Sequence, residues 1–517
     1  MHGGGAIFKI VLRDERFDRY FTASDFLRCR LDAIRLKRKA AGFDNVQPTF
    51  LDIEQSHSLF IHSAYRPYVS TASEYVRVKA AGDTVGGLGP GGGALHFTFP
   101  IHGHFTSDMV VHIRIGAIGS KTATAPSAAT PYLRYCALPG VRMFRKVEMK
   151  SDSVLIDDYT PDDVIAHSKF FVHADQRVGW ERCHGQQEPR EALYYANGYT
   201  GRLKYHDGPQ TPKLYQEGFD LYIPLQFWIC RDSSQALLND LIPNSQRTIT
   251  CELAPLADIV QALLPAGEGA GTLMAPADLP FTKVAIDADL YVNNLYVNPE
   301  IHDIFASRIG FSLIRVHRRQ TIQLRSPSDA FLLDQLRFPA EYLMVGVRAR
   351  SLAHDFDRWW MMGRPRVRDR HSSIIAPAMI WNDLIGIPQL VSREAVEVTT
   401  LDNVVDTIGV TAHGIDIFPQ LPSAFYNAYL PIRYSESTMV AAPADTSAFL
   451  ISFCLYPGKR NPSGYYNLSA GREMYINYQL KPEASEVEGG EFEMTISMSA
   501  LNFLVRKGDR IALRYAL

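Results

Sequence analysis

The chain has 517 residues, too many for one hydrophobic core, and its length predicts two to four domains. Hydrophobic residues make up 46% of the chain and charged residues 21%, values typical of a folded globular protein and not of a disordered one. The net charge of −2 excludes the strong positive field that drives nonspecific binding to nucleic acid or anionic membranes. No apolar run reaches about eighteen residues, and the first residues lack a signal-peptide pattern, so we predict no membrane span.

Residues 1–50 differ from the rest of the chain because their apolar residues recur at helical spacing. Leu27, Leu31 and Ile34 lie about one turn apart, and a basic run ending at Lys39 follows them. Positive charge in a last turn suits the helix dipole. We therefore predict an N-terminal arm with an amphipathic helix that docks on the body. A basic arm that reaches a neighbouring subunit or a membrane surface is the alternative.

The apolar period changes at about residue 51 from the helical value to about 2, which is the spacing of strands. Alternation is clear in Leu95 to Phe99 and in Met109 to Ile115, and long polar loops separate such segments. Short strands joined by long loops are typical of a sandwich or a jelly roll. We predict a first β domain of this kind over residues 51–264.

One apolar stretch, Phe219 to Arg231 (FDLYIPLQFWICR), lies near the end of this domain. Its β-branched and aromatic residues predict a strand buried on both faces, punctuated by Pro224. Phe227 and Trp228 form its centre, and we predict that they anchor the core and face the contact between domains or subunits. A half-buried strand follows in Gln246 to Leu253, and we expect this pair of strands to close the domain.

A segment rich in Gly and Pro and nearly free of charge, residues 265–282, is predicted to be a linker. Strand-type alternation begins again at residue 283, which predicts a second β domain over residues 283–517. The apolar run Ala448 to Pro457 occupies the same late position in its half as FDLYIPLQFWICR. The sequence therefore predicts two similar all-β units in tandem.

We find no constellation of residues that predicts a catalytic, cofactor or metal site. The Gly-rich segment Gly86 to Gly93 is not followed by the Lys-Ser/Thr pair of a phosphate loop. His102, His104 and Asp108 have a spacing that suits metal ligands, but no second histidine motif follows, so surface histidines are the preferred interpretation. We predict a protein that is not an enzyme and needs no cofactor, with a cupin-like metal enzyme as the weaker alternative.

An acidic cluster is formed by Asp157, Asp158, Asp162 and Asp163. Pairs of carboxylates across a cleft are typical of glycosidases. These residues flank Tyr-Thr-Pro, a composition typical of turns, so a solvated turn is the preferred interpretation.

A basic loop rich in arginine follows Trp359 and Trp360. Basic and aromatic residues together can bind nucleic acid, but Trp and Arg are also enriched in the cores of protein interfaces. We predict an assembly role for the two tryptophans and no specific nucleic-acid partner. The complete set of predicted structural or assembly residues is Pro224, Phe227, Trp228, Trp359 and Trp360.

Several ungapped stretches occur in one order along the chain. FDLYIPLQFWICR with RTITCEL, preceded by GPQTPKLYQ, is similar to the most recognisable segment of the double jelly-roll major capsid proteins of nucleocytoplasmic large DNA viruses. LYVNNLYVNPEIHDIF, FSLIRVH, VTAHGID, NPSGYYN and SALNFLV follow in matching order. The likeness covers nearly the whole chain and is greatest to the African swine fever virus branch. This chain is expected to be shorter, around Gly116 to Tyr132 and Asp175 to Gly208.

The resemblance implies both a fold and a function. The implied fold is all-β: two tandem eight-stranded antiparallel jelly rolls (a double jelly roll) with short helices and long loops. The implied function is that of a major capsid protein whose homotrimeric, pseudo-hexameric capsomers tile an icosahedral shell. A jelly-roll receptor- or glycan-binding virion protein is the alternative. Implied partners are further copies of the chain, minor capsid and penton proteins, and the inner viral membrane through the N-terminal arm. The implied location is the virion capsid, assembled in the host cytoplasm.

Overall fold

The structure is a computed structural model, and the statements below concern the residues that it describes. Most of the predicted linker lies outside these residues. The described residues are 25–43, 46–47, 71–82, 87–99, 102–123, 125–127, 129–186, 189–196, 199–206, 208–241, 246–264, 272–274, 279–297, 299–308, 310–368, 375–382, 387–395, 398–436, 438–469, 473–482, 491–507 and 510–515.

Short helices punctuate a chain that is mostly strand. The helices are α1 (Asp25–Ala40), α2 (Pro139–Arg142), α3 (Pro161–Phe171), α4 (Ala174–Cys183), α5 (Leu256–Ile259), α6 (Pro299–Arg308), α7 (Arg350–His354) and α8 (Leu430–Ser435). Single turns of 3₁₀ helix lie at Trp228–Cys230, Ser233–Gln235 and Asn239–Leu241, and a π-helical turn lies at Phe425–Tyr429.

The strands fall into two sets along the chain. The first set is β1 (Thr71–Lys79), β2 (Gly93–Phe99), β3 (Phe105–Ile115), β4 (Ile118–Gly119), β5 (Tyr132–Tyr135), β6 (Phe144–Ser151), β7 (Val154–Tyr159), β8 (Pro189–Ala196), β9 (Tyr199–His206), β10 (Tyr215–Gln216), β11 (Phe219–Pro224), β12 (Leu237–Leu238), β13 (Arg247–Leu253), β14 (Val260–Leu264), β15 (Thr272–Leu273) and β16 (Ile286–Val297). The second set is β17 (Phe311–Leu324), β18 (Ser328–Leu332), β19 (Pro339–Ala349), β20 (Arg364–Arg368), β21 (Ile375–Asn382), β22 (Ile387–Ala395), β23 (Val398–Asp402), β24 (Val405–Ala412), β25 (Ile415–Pro422), β26 (Ala448–Ser452), β27 (Tyr466–Asn467), β28 (Met474–Leu480), β29 (Phe492–Lys507) and β30 (Arg510–Leu513).

Residues Met1–Thr71 form a unit of their own, whose described part is centred on α1. The helix predicted for the N-terminal arm is thereby confirmed. Its last turn carries Lys37, Arg38 and Lys39, as the dipole argument expects. Within the described part of the chain, none of the helices has the length and apolar character needed to span a bilayer.

Residues Ala72–Leu517 form a second unit that contains two pairs of antiparallel sheets. In the first pair, one sheet has the strand order β1-β16-β3-β11 and the other β2-β13-β6-β7. In the second pair, the orders are β17-β29-β19-β26 and β18-β28-β24-β25. The short strands β12, β27 and β30 extend these sheets, and two- and three-stranded ribbons occupy the loops between them.

The two pairs of sheets are equivalent strand by strand. The strands of the first pair correspond in chain order to those of the second: β1 to β17, β2 to β18, β3 to β19, β6 to β24, β7 to β25, β11 to β26, β13 to β28 and β16 to β29. Each set has eight strands in two four-stranded sheets, which is the architecture of a jelly roll. The predicted double jelly roll is therefore confirmed. We call the two sets the first and the second jelly roll.

The strand that follows the predicted linker belongs to the first jelly roll and not to the second. β16 pairs with β3 from Ile286 opposite Ile115 to Leu295 opposite Phe105. It is the eighth strand of its roll, so the chain passes to the second roll after residue 297 and not within residues 265–282. Alternation could not show this, because it indicates that a segment is a strand without indicating its partner. β11 and β13 are accordingly the sixth and seventh strands and do not close the roll.

The apolar stretch Phe219 to Arg231 is a strand only in its first half. β11 ends at Pro224, which has no N–H to continue the ladder, and the 3₁₀ turn Trp228–Cys230 follows. Asp220 and Tyr222 on this strand are exposed and their neighbours Leu221 and Ile223 are buried. The prediction of a strand buried on both faces is therefore wrong for β11, although it holds for the equivalent strand β26.

Candidate functional site

The two jelly rolls meet along one sheet of the second roll. β7 and α3 of the first roll pack on the sheet β17-β29-β19-β26. β19 is buried at every one of its positions, whereas its equivalent β3 has half-buried and exposed residues. A sheet is buried on both faces only where another layer covers it. We call this contact region the seam.

Asp157 on β7 is a buried acid of the seam. It accepts hydrogen bonds from the backbone N–H of His317 at 2.8 Å and from the ring Nδ1 of His317 at 2.9 Å. The guanidinium of Arg231 lies 3.2 Å from the other ring nitrogen. Because Nδ1 faces a carboxylate and Nε2 faces a donor, the neutral imidazole with its hydrogen on Nδ1 satisfies both contacts.

Asp158 and Asp163 pair with Arg319, which lies two residues after His317 on β17. The guanidinium lies 2.6 Å from Asp158 and 3.5 Å from Asp163. Burial alone would raise the pKa of the Asp158 carboxyl, but the hydrogen bond and the charge of Arg319 hold it below its ordinary value. Burial would likewise lower the pKa of Arg319, and the two carboxylates raise it instead. Both pKa shifts therefore favour the charged forms, the carboxylate of Asp158 on one side of the seam and the guanidinium of Arg319 on the other.

Arg348 on β19 joins the two rolls directly. Its guanidinium lies 2.9 Å from Asp162 of the first roll and 2.6 Å from Glu493 of the second. It also donates to the carbonyl oxygen of Trp359 at 3.3 Å. Burial would lower the pKa of the guanidinium, but the two carboxylates raise it above its ordinary value. One buried cation is thus shared by two acids, and its loss would leave both without this partner.

The interpretation of Asp157, Asp158, Asp162 and Asp163 as a solvated turn is wrong. Asp157 and Asp163 are each 1% exposed, and all four take part in the seam. A signal was present in the sequence: β17 carries three arginines and a histidine next to apolar residues such as Ile314 and Val316. Such residues are seldom buried without acidic partners, so a matching acidic cluster elsewhere was the feature to look for.

Phe227 and Trp228 are both buried. The Phe227 ring meets the ring of Tyr159 edge-on, with centroids 5.3 Å apart. Trp228 is 2% exposed and borders a cavity of about 330 Å³ that Leu313 and Ile314 of β17 also line. Pro224, the third predicted residue of this stretch, is half-buried at the end of β11. The assembly role of all three stays a prediction.

Trp359 and Trp360 also join the two jelly rolls. The indole N–H of Trp359 donates to the carbonyl oxygen of Ala137 in the first roll at 2.7 Å. The ring of Trp360 covers the ammonium group of Lys169, whose charge is paired with Asp445 at 2.7 Å. These contacts lie within one chain, so an assembly role for the two tryptophans stays a prediction. The side chains of the arginine-rich loop from residue 366 onward lie outside the described residues.

The histidines that follow β2 make ordinary side-chain contacts. His104 stacks on His302 with ring centroids 4.3 Å apart, and its Nδ1 accepts the N–H of Val297 at 3.0 Å. Asp108 accepts a hydrogen bond from Tyr75 at 3.1 Å. In the part of the chain that the structure describes, no three His, Cys, Asp or Glu side chains are grouped as metal ligands would be.

His184, at the end of α4, should make stability depend on pH. Its Nδ1 donates to the carbonyl oxygen of Trp180 at 2.8 Å, and its Nε2 is buried with no hydrogen-bond partner among the described residues. Burial lowers the pKa of His184 to about 4. The unfolded chain therefore binds the proton first, so stability is full above about pH 6.5 and falls as the pH drops toward 4.

We expect this one residue to remove roughly 2–3 kcal/mol of stability between pH 7 and pH 4.5. His184→Asn keeps an N–H near the position of Nδ1 and cannot titrate in this range. Urea unfolding of both proteins at pH 7 and pH 4.5 measures the difference. The variant should lose less stability on acidification by that amount, and equal losses would contradict the assignment.

Comparison with known proteins agrees with this architecture. A family model described as large eukaryotic DNA virus major capsid protein matches residues 311–508, a range that runs from β17 through β29 of the second roll. The major capsid protein of African swine fever virus (isolate Warthog/Namibia/Wart80/1980) is 25% identical, and the alignment covers 100% of both chains. The Hexon protein p72 of African swine fever virus (strain Badajoz 1971 Vero-adapted) is also 25% identical, and the alignment again covers 100% of both chains. These alignments have 663 positions against 517 residues here, which agrees with the expectation that this chain is shorter.

Solved structures show the same relation. The Faustovirus major capsid protein superposes with a TM-score of 0.70 at 26% identity, over 95% of this chain and 99% of that one. The capsid protein in a quasi-atomic model of the PBCV-1 virus capsid gives a TM-score of 0.58 at 16% identity, over 89% and 100%, and so shares the fold. The relatives that match over the whole chain are capsid proteins and not enzymes, which agrees with the prediction for this chain. The resemblance is confirmed: over its whole length the chain is similar to major capsid proteins of large eukaryotic DNA viruses, and it shares their double jelly-roll fold.

Proposed function

We propose that three copies of this chain form a pseudo-hexameric capsomer, and that such capsomers tile the icosahedral shell of a large DNA virus. The observation that carries the proposal is the strand-for-strand equivalence of the two jelly rolls. Three chains then supply six similar rolls, and a capsomer with a six-fold outline can contact six neighbours on a flat facet. The names of the relatives, "hexon" and "major capsid protein", support the same function.

The seam supports this proposal in a second way. A building block of a regular shell needs its two rolls held in one fixed relation. Arg348, Arg319 and His317 each meet an acid of the other roll, and the acids Asp157 and Asp163 are buried. The arginine–carboxylate pairs among these contacts are costly to separate, because each partner would be left charged and poorly solvated.

We further propose the virion capsid as the location of the protein, with assembly in the host cytoplasm. Its partners are then other copies of the chain, minor capsid and penton proteins, and the inner viral membrane. The basic last turn of α1 supports membrane contact through the N-terminal arm, because Lys and Arg near a surface of anionic lipid are attracted to it.

The mass of the purified chain in solution tests the capsomer directly. Size-exclusion chromatography with light scattering should give about 174 kDa, three times the chain mass of 58.0 kDa. The mass should persist on dilution, because the large interfaces of permanent assemblies do not dissociate readily. A stable particle of 58 kDa would contradict the proposal. If that monomer also bound glycans, the receptor- or glycan-binding virion protein would be the better assignment.

A further inference from the structure

Two surfaces of the chain correspond to the two sides of the seam. Within the chain, β7 and α3 of the first roll cover the sheet β17-β29-β19-β26 of the second. By strand equivalence, the counterpart of β7 is β25, and the counterpart of the covered sheet is β1-β16-β3-β11. A helical segment over residues 425–435 follows β25, as α3 follows β7.

The helical segment is exposed where α3 is covered. Every residue of α3 is buried or half-buried, whereas Tyr429 and Ile432 are 54% and 60% exposed. Leu455 and Tyr456, which follow β26, are exposed beside this segment, and Tyr429 lines a groove of about 470 Å³ with them. We call Tyr429, Ile432, Leu455 and Tyr456 the helical patch. Exposed apolar clusters of this kind mark interaction surfaces.

The sheet of the first roll shows the same contrast with its counterpart. β26 is buried at every position, whereas the equivalent β11 exposes Asp220 and Tyr222. On the same sheet, Tyr75 of β1 and Asp287 of β16 are exposed. We call Tyr75, Asp220, Tyr222 and Asp287 the open sheet face. Its tyrosines suit an apolar partner. Its two carboxylates contact His112 and Arg114 within the chain and remain about half exposed, so they can also contact a cation of a partner.

We propose that the helical patch of one copy binds the open sheet face of a second copy, as α3 binds its sheet within the chain. The inference rests on the proposed capsomer and assigns the surfaces that close it. Arg433 of α8 is exposed beside the patch and has a charge opposite to that of Asp220 and Asp287, which also contact His112 and Arg114 within their own chain. The contact joins two different surfaces, and three such contacts alternate with three seams around a closed ring of six rolls.

Two variants of the full chain separate the two surfaces. The patch variant carries Ile432→Asp with Leu455→Asp, and the face variant carries Asp220→Lys with Tyr222→Lys. Each variant alone should have a mass of 58 kDa by light scattering, while the wild type has about 174 kDa. An equimolar mixture should give a heterodimer of about 116 kDa, twice the chain mass of 58.0 kDa. The mixture retains one intact pair of surfaces, the patch of the face variant and the face of the patch variant.

A control variant, Leu332→Asp, changes an exposed leucine at the opposite edge of its sheet from β25. It should remain at about 174 kDa. Melting temperatures within about 2 °C of the wild type show that the variants are folded. Should an Asp variant melt earlier, Ile432→Ser with Leu455→Ser replaces it.

The outcomes distinguish the inference from the proposed function. Folded patch or face variants that still form the 174 kDa particle would overturn the assigned surfaces and leave the capsomer intact. Monomeric variants whose mixture stays at 58 kDa would overturn the pairing of patch with face. A monomeric wild type would overturn the capsomer itself, and the inference with it.

Discussion

Replacing Trp228 by alanine should lower the free energy of unfolding by about 3–5 kcal/mol. The indole is buried on the 3₁₀ turn after β11 and already borders a cavity of about 330 Å³ at the seam. Removing it enlarges this cavity, and Leu313 and Ile314, which also line it, are held in the ladder between β17 and β29. Urea denaturation followed by far-ultraviolet circular dichroism measures the loss.

Tyr465→Ala is the control for this substitution, because Tyr465 is an aromatic residue that is 58% exposed. It should change stability by less than about 0.5 kcal/mol. A loss below about 1 kcal/mol in Trp228→Ala would contradict a core role. If that variant were as stable as the wild type and yet monomeric, Trp228 would serve assembly alone.

Replacing Arg348 by methionine should cost about 3–5 kcal/mol, because the substitution leaves Asp162 and Glu493 at the seam without their shared cation. Methionine has a similar length and keeps most of the aliphatic packing, so the effect reports the lost charge. Part of the loss should return in the triple variant with Asp162→Asn and Glu493→Gln, since the two carboxylates are then no longer charged. Equilibrium unfolding of the single and triple variants measures both numbers.

The control for Arg348 is an exposed pair of the same chemistry. Arg35 lies 2.8 Å from Asp32 on α1, and both side chains are exposed. Arg35→Met should change stability by less than about 0.5 kcal/mol, because water screens exposed ion pairs. Similar losses at Arg35 and Arg348 would show that the burial of the seam pair has no energetic consequence.

The local patterns of the sequence predicted most elements but not their partners. Leu95 to Phe99 and Met109 to Ile115 are strands as expected, since alternation is a property of the segment itself. Whether β16 joins the first or the second roll depends on β3, which lies far away in sequence. Pro224 is visible in the sequence as a punctuation of this stretch. β11 ends there because proline has no N–H to continue the ladder.

The seam was missed because its polar residues have the pattern of a solvent-exposed face. Arg315, His317 and Arg319 alternate along β17, and alternate polar residues usually indicate a face in water. Their acidic partners come from both rolls, and Asp157 lies 160 positions before His317. No local pattern connects residues so far apart. The burial of the acidic cluster and of β17 can be predicted only if the two are recognised as partners.

The charged character of the seam has a consequence during synthesis of the chain. β7 and α3 are translated long before β29, whose residue Ser497 contacts Asp163 across 334 positions. Until then, the surface of the first roll that will form the seam is exposed to solvent. It carries the carboxylates of Asp157, Asp158, Asp162 and Asp163, which water solvates well. An apolar surface in the same place would attract other unfinished chains at high concentrations of newly made protein. The charged residues of the seam therefore help the first roll to stay monomeric in solution until the second roll has been synthesised.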